Sequence, residues 1–145
     1  MGLATAIADA VAAELNAAPA GTFSQTMTPE RDVLPEFSLP ELAQLRVSVV
    51  PKSIEMTRST RTGSQYDITV DIGIQKKLEA VMDAEVAELG TFVDEVADYL
   101  DGRALTETPY AVWTKTANDP VYAPDHLAEQ RVFTSVLTVT YRAMK

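Results

Sequence analysis

The side chains of this 145-residue chain that could act as acids, bases or nucleophiles are few and scattered. The single histidine, His126, lies between Asp125 and Glu129 in the pattern DHxxE. A helical turn here would place His126 and Glu129 on one face. Two side chains supply fewer ligands than a zinc site needs, so the pattern predicts a structural or surface role for His126. The absence of cysteine excludes thiolate metal ligands, disulfides and a cysteine nucleophile.

A second candidate is a carboxylate pair, Asp67 and Asp71, on one side of a predicted strand. Two carboxylates so placed could serve in general acid–base catalysis, but strand alternation alone produces the same spacing. The segments GTFSQT and GSQYD lack the lysine and the glycine spacing of a phosphate-binding loop. We therefore predict no enzymatic activity, no metal and no cofactor. A small enzyme or ligand-binding domain is kept as the weakest alternative.

The composition is that of an ordinary globular chain, with 46% apolar and 23% charged residues. The length suits one domain over residues 1–145 with one core. No apolar run approaches the roughly 20 residues of a membrane helix. The alanine-rich start lacks a basic segment and contains Asp9 and Glu14, so it does not resemble a secretory signal. We expect a cytoplasmic location in the producing cell and no membrane partner.

The net charge of −9 is unevenly distributed. Residues 45–77 contain six basic and three acidic side chains, whereas residues 78–107 contain nine acidic and one basic. One interpretation is a solvated acidic helix beside a mildly basic sheet. The other is charge complementarity between copies of the protein, with basic tips meeting acidic faces. Tight nucleic-acid binding through a basic groove is not expected at this composition.

The basic stretch 48–77, SVVPKSIEMTRSTRTGSQYDITVDIGIQKK, predicts a long β-hairpin. In its second arm every other residue is apolar, as in a strand with one buried face: Tyr66, Ile68, Val70, Ile72 and Ile74. In the first arm the apolar positions change from odd to even beyond Pro51, which predicts a β-bulge near Pro51–Lys52. The connecting RSTRTGS is polar, contains glycine and is longer than a two-residue turn.

Two amphipathic helices are predicted to cover this sheet. Leu3, Ile7, Val11 and Leu15 recur every four residues and mark one helical face, with alanines between them that offer little surface to bury. Residues 83–101 carry a second stripe, at spacings of three and four, with acidic residues outside it: Val86, Leu89, Val93, Val96 and Leu100. Asp83 is the predicted N-cap and Gly102 the predicted C-cap.

The remaining segments predict strands at 22–27, 110–116 and 131–142 and single helical turns at 39–44 and 125–129. The proline-containing segment 28–37 is expected to be an extended arm or long loop. Trp113 and Tyr110 favour a core position over a binding patch. The fold class is therefore α+β. A mixed, mostly antiparallel sheet with a long β-hairpin is packed against an acidic amphipathic helix and an N-terminal helix.

Three segments resemble small virion proteins of tailed bacteriophages: LRVSVVPKSIEM (45–56), RTGSQYDITVDIGIQKKL (61–78) and NDPVYAPDHLAEQRVFTSVLTVTYR (118–142). The resemblance is to tail terminator, or tail completion, proteins, and it covers the chain from about residue 33 onward. The order of elements is similar too. Neck and head-closure proteins of head-to-tail connectors share the size and α+β layout, and they are the main alternative.

The resemblance implies a structural virion protein, assembled in the host cytoplasm. Terminators form a homo-oligomeric ring, usually of six subunits, which ends tail-tube polymerisation and docks to the filled head. The implied partners are other copies of the chain, the tail tube protein, a neck or head-closure protein, and DNA that passes through the lumen without specific binding. The hairpin tip, with Arg58, Arg61, Thr62 and Ser64, would contact the tail tube or an adjacent subunit. Asp67 and Asp71 would face the lumen, where acidic side chains repel phosphate.

Overall fold

The computed structural model describes residues 2–32, 41–58, 60–79 and 82–144. Three helices, one 3₁₀ turn and five strands lie in these ranges. They are α1 (Leu3–Asn16), β1 (Glu30–Arg31), the 3₁₀ turn (Glu41–Ala43), β2 (Arg46–Arg58), β3 (Ser64–Lys77), α2 (Met82–Leu100), β4 (Val112–Asn118), α3 (Pro124–Gln130) and β5 (Val132–Met144). The predicted α+β class is confirmed. Within the described ranges no helix has the length and apolar content needed to cross a membrane.

The five strands form one sheet in the order β1-β2-β3-β5-β4. Strand β1 is parallel to β2, and the other three neighbouring pairs are antiparallel. Strands β2 and β3 form the predicted hairpin, and β5 lies beside β3 although it comes last in the chain. One edge of the sheet is therefore β4, and the other is β1 together with the part of β2 that β1 does not cover.

Side-chain alternation divides the sheet into a core face, covered by helices, and a second face opposite to it. The core face carries the largest buried side chains of β3 and β5: Ile68, Val70, Ile72, Ile74, Phe133, Leu137, Val139 and Tyr141. The register shifts between Pro51 and Ser53, so that Ile54 pairs with Ile68. The predicted bulge is thus confirmed, and it keeps the apolar residues of both halves of β2 on the core face.

Helix α1 lies on the core face against β2 and β3. Ile7, Val11 and Leu15 are buried, as their spacing predicts. The alanines contribute more than expected, because Ala8 and Ala10 are fully buried as well. Their small side chains let the helix backbone approach the sheet closely over a wide face. The apolar face of α1 is therefore covered by the sheet of the same chain.

Helix α2 packs on the same face against β5. Leu89, Val93, Val96 and Leu100 are buried as predicted, but so is Phe92, which lies outside the predicted stripe. Asp83 is not the N-cap. The helix already includes Met82, so Asp83 lies in the first turn, where a carboxylate interacts favourably with the helix dipole. Gly102 adopts a left-handed conformation (φ +66°) just past the helix, as expected for a C-cap glycine.

The strand predicted at 22–27 is wrong, because this segment is a loop held to α2 by side chains. The Phe23 ring packs edge-on against Phe92 and Tyr99, at centroid distances of 5.9 and 5.5 Å. The backbone N–H and hydroxyl of Ser24 both donate to Glu95 Oε1 at 2.8 Å. Phe23 and Ser24 are therefore held by contacts with α2 and not by a neighbouring strand.

The first strand is instead β1, inside the segment expected to be an extended arm. It is fastened to α1, since Arg31 forms a 2.9 Å ion pair with Asp9 and the Asn16 side chain donates to the Pro29 carbonyl at 3.1 Å. The described part of the arm therefore lies on its own sheet, and residues 33–40 lie outside the described ranges. The 3₁₀ turn at Glu41–Ala43 matches the predicted turn at 39–44.

The later elements match their predictions with small shifts. Strand β4 begins and ends two residues later than expected, β5 runs on to Met144, and α3 contains the predicted turn at 125–129. Trp113 is half-buried against the core, as predicted, whereas the core position predicted for Tyr110 is wrong, because its side chain is 52% exposed.

One charged side chain, Glu14, lies inside the core region at only 6% exposure. Its Oε1 accepts a 2.6 Å hydrogen bond from the Thr106 backbone N–H, and its carbonyl accepts one from the Tyr99 hydroxyl. Burial, and secondarily the charge of Glu14, raise the pKa of Tyr141 above its ordinary value, so that hydroxyl stays protonated. Glu14 therefore connects α1 to the chain that follows α2.

We expect Glu14→Ala to lower the free energy of unfolding by about 1.5–3 kcal/mol, because it removes a hydrogen bond to a charged group at a buried site. Urea denaturation of the purified protein measures this. Asp9→Ala is the matched control on the same helix. Its partly exposed ion pair with Arg31 should contribute only about 0.2–1 kcal/mol. Equal losses in the two variants would show that the buried carboxylate has no special role.

Candidate interaction surfaces

The outer half of strand β2 is exposed at the edge of the sheet, whereas the neighbouring part of β3 is paired with β5 on its other side, and Ile68 there is fully buried. Residues 52–58 of β2 are all exposed, whereas residues 47–50 are buried. Ile54 and Met56 lie on the core face but are 46% and 64% exposed. Exposed apolar side chains on an edge strand are typical of a surface that contacts another protein.

The tip of this hairpin is closed by its own hydrogen bonds. The Thr60 N–H donates to the Gly63 carbonyl at 3.2 Å, and the Gly63 N–H donates to Thr60 Oγ1 at 2.8 Å. Arg58 Nη1 donates to the Arg61 carbonyl at 2.9 Å. The connection is longer than two residues, as predicted, and it presents both arginines at the exposed end of the hairpin.

The predicted interface residues are gathered at this tip. Arg58 pairs with Ser64 across the end of the ladder, with Arg61 and Thr62 exposed between them. Ser59 lies outside the described ranges. The assignment of these residues to a subunit or tail-tube interface stays a prediction.

Asp67 and Asp71 are brought onto the second face, as the alternation predicts, but each lies beside a cation. Arg142 Nε contacts Asp67 Oδ1 at 3.0 Å. Lys52 Nζ lies 4.0 Å from Asp71 Oδ1, which also accepts a 2.7 Å hydrogen bond from the Thr138 hydroxyl. The two charges are therefore largely countered within the chain. Their predicted position in a lumen stays a prediction, but their power to repel phosphate is smaller than their number suggests.

A shallow groove of about 230 Å³ runs between α2 and the edge strand β4. Three exposed aspartates at helical spacing line its α2 side, and polar and aromatic side chains line its β4 side. We call it the acidic groove, defined by Asp94, Asp98, Asp101, Trp113, Thr116 and Asn118. The Trp113 indole N–H donates to the Thr116 hydroxyl at 2.9 Å, which fixes the ring at the groove wall.

The sequence predicts an acidic side for the helix at 83–101 but not this groove. The aspartates are spaced four and three residues apart, which places them along one side of the helix. This spacing is visible in the sequence. The position of Trp113 beside the aspartates is not, because it depends on the pairing of β4 with β5 at the edge of the sheet.

His126 lies beside a polar side chain of β5. Its Nδ1 lies 2.8 Å from the Thr134 hydroxyl, on the strand beside α3. Gln75 Nε2 donates to the same hydroxyl at 3.3 Å. In the ranges that the structure describes, no group of three or more histidine, cysteine or acidic side chains is placed to hold a metal ion.

A scan against protein-family models and a search of the curated proteins found no match to this chain.

Proposed function

We propose that the protein is a structural virion component that forms a ring at the head-proximal end of a phage tail, where it ends tail-tube growth and joins tail to head. The observation that carries this proposal is the exposed edge of the hairpin. The outer half of β2 carries exposed apolar side chains and leads into a basic tip. The resemblance of residues 45–56, 61–78 and 118–142 to terminator proteins supports the same role.

The two edges of the sheet also support self-association. Beyond Val49 no strand of the described ranges pairs with the outer edge of β2, and none pairs with the outer edge of β4. Open edges are sites where a further strand can add. A chain with one such edge on each side can join head to tail, and head-to-tail contacts close into rings when the rotation per subunit allows it.

We expect the purified protein to form closed rings at high concentration. Multi-angle light scattering measures the mass of the assembly, and negative-stain microscopy shows its shape. A strictly monomeric protein at every concentration, with no ring in the micrographs, would contradict the proposal. Added to growing tail tubes, the protein should shorten them to a uniform length, whereas a head-closure protein would leave tube length unchanged.

A further inference from the structure

We infer that successive copies join by sheet continuation, with the outer edge of β2 in one copy pairing antiparallel to β4 of the next and its Arg58 side chain directed toward the acidic groove. The inference rests on the proposed ring, and it specifies the contact between subunits. The partner is a second copy of this chain. Three independent features of the described residues support it.

The first feature is the match between the two edges. On β2, residues 50–58 lie beyond the last residue paired with β1, and β4 has seven residues from Val112 to Asn118. The two segments lie at opposite ends of the strand order, so one copy presents both halves of the contact without using the same edge twice. Because β2 and β4 run in opposite directions through the sheet, a copy translated in the sheet plane adds its β2 antiparallel to β4.

The second feature is that the apolar side chains of the two edges lie on the same face of the continued sheet. In-plane continuation keeps the core face of one copy continuous with that of the next. Ile54 and Met56 of the incoming strand then lie on the same face as Trp113 and Thr116, which pair with the core-face residues Tyr141 and Val139. The exposed apolar side chains are thereby placed beside the half-buried indole, where they lose water-exposed surface.

The third feature is charge. Arg58 has the same alternation as Ile54 and Met56, so its guanidinium lies on the core face of the incoming strand. That face of the receiving copy carries the aspartate row of the acidic groove. The basic hairpin and the acidic helix are on different elements of one chain, and sheet continuation brings them together between chains. Opposite charges across such a contact favour this partner orientation over edge pairing between two identical edges.

Cross-linking tests the contact directly, because the chain has no cysteine of its own. Thr57→Cys and Val112→Cys place single thiols on exposed positions of the second face, one on each edge and opposite each other when Met56 lies beside Trp113. Within one copy the two edges are three strand spacings apart, roughly 14 Å, which exceeds the reach of a short bismaleimide linker of about 8 Å. We expect the double variant to give a ladder of covalent dimers, trimers and larger species on a denaturing gel. Each single variant should remain monomeric.

Charge reversal tests the same contact in a second way. Arg58→Asp in the double-cysteine background should reduce the ladder about tenfold, and adding Asp98→Arg should restore it. Dimers from either single-cysteine variant would mean that identical edges pair, which overturns the inference. Rings in the micrographs without a ladder would also overturn it while leaving the proposed function intact. Absence of both rings and ladder would contradict the proposed function itself.

Discussion

Phe92→Ala is expected to lower the free energy of unfolding by about 3–5 kcal/mol, the largest effect of any single substitution considered for this protein. The ring is fully buried on the core-facing side of α2 and packs edge-on against Phe23. Its removal leaves a cavity and also deprives the loop at 22–27 of one of its two aromatic contacts on α2. Thermal and urea unfolding of the purified protein measure the loss.

The neighbouring Thr91 provides a matched control. Its side chain is exposed on α2 and donates to the Ala87 carbonyl of the same helix. Thr91→Ala should change the free energy of unfolding by no more than about 0.5 kcal/mol. If Phe92→Ala cost as little as Thr91→Ala, the packing of α2 on the sheet described above would be wrong.

The double variant Arg58→Glu with Arg61→Glu is expected to fold normally and to lose assembly. None of the described tip residues is buried, so the free energy of unfolding of the variant should stay within about 0.5 kcal/mol of the parent. A single exposed ion pair contributes only about 0.2–1 kcal/mol, but a ring repeats the change at every subunit. Tails made with this variant should be overlong or unattached to heads, as measured by electron microscopy of infected-cell lysates.

Lys76→Glu with Lys77→Glu makes the same change in net charge at the opposite end of β3. This control should leave tail length normal, since the lysines lie at the base of the hairpin. Normal tails from both double variants would show that the tip is a solvated loop. Defective tails from both double variants would show that assembly depends on the overall charge of the protein and not on the tip.

The parts of the fold that the sequence predicts are those governed by strict alternation or helical spacing. The apolar face from Ile68 to Ile74, the bulge after Pro51 and the helix ending before Gly102 all follow from local patterns. Each depends on residues close in sequence whose side chains share one face, so the pattern survives without knowledge of the tertiary partner.

The parts that it misses depend on contacts between distant residues. Phe23 and Ser24 have strand-like neighbours in sequence, but their contacts with α2 hold them in a loop. The sequence alone suggests a solvated helix position for Glu14, but in the structure the Thr106 N–H donates to its side chain. The acidic groove exists only because β4 closes the sheet edge beside α2. None of these contacts has a local signature, since tertiary packing overrides local preference at each position.

The bulge in β2 changes the direction of the hairpin without changing the face on which each side chain lies. Lys52 is the extra residue, because Pro51 pairs with Val70 and Ser53 with the adjacent Thr69. A strand bends and twists more strongly at such a residue. Loss of the Lys52 codon would leave every other side chain of β2 on its present face and would straighten the arm. A single-codon deletion can therefore change the direction of this hairpin without altering the chemistry at its tip.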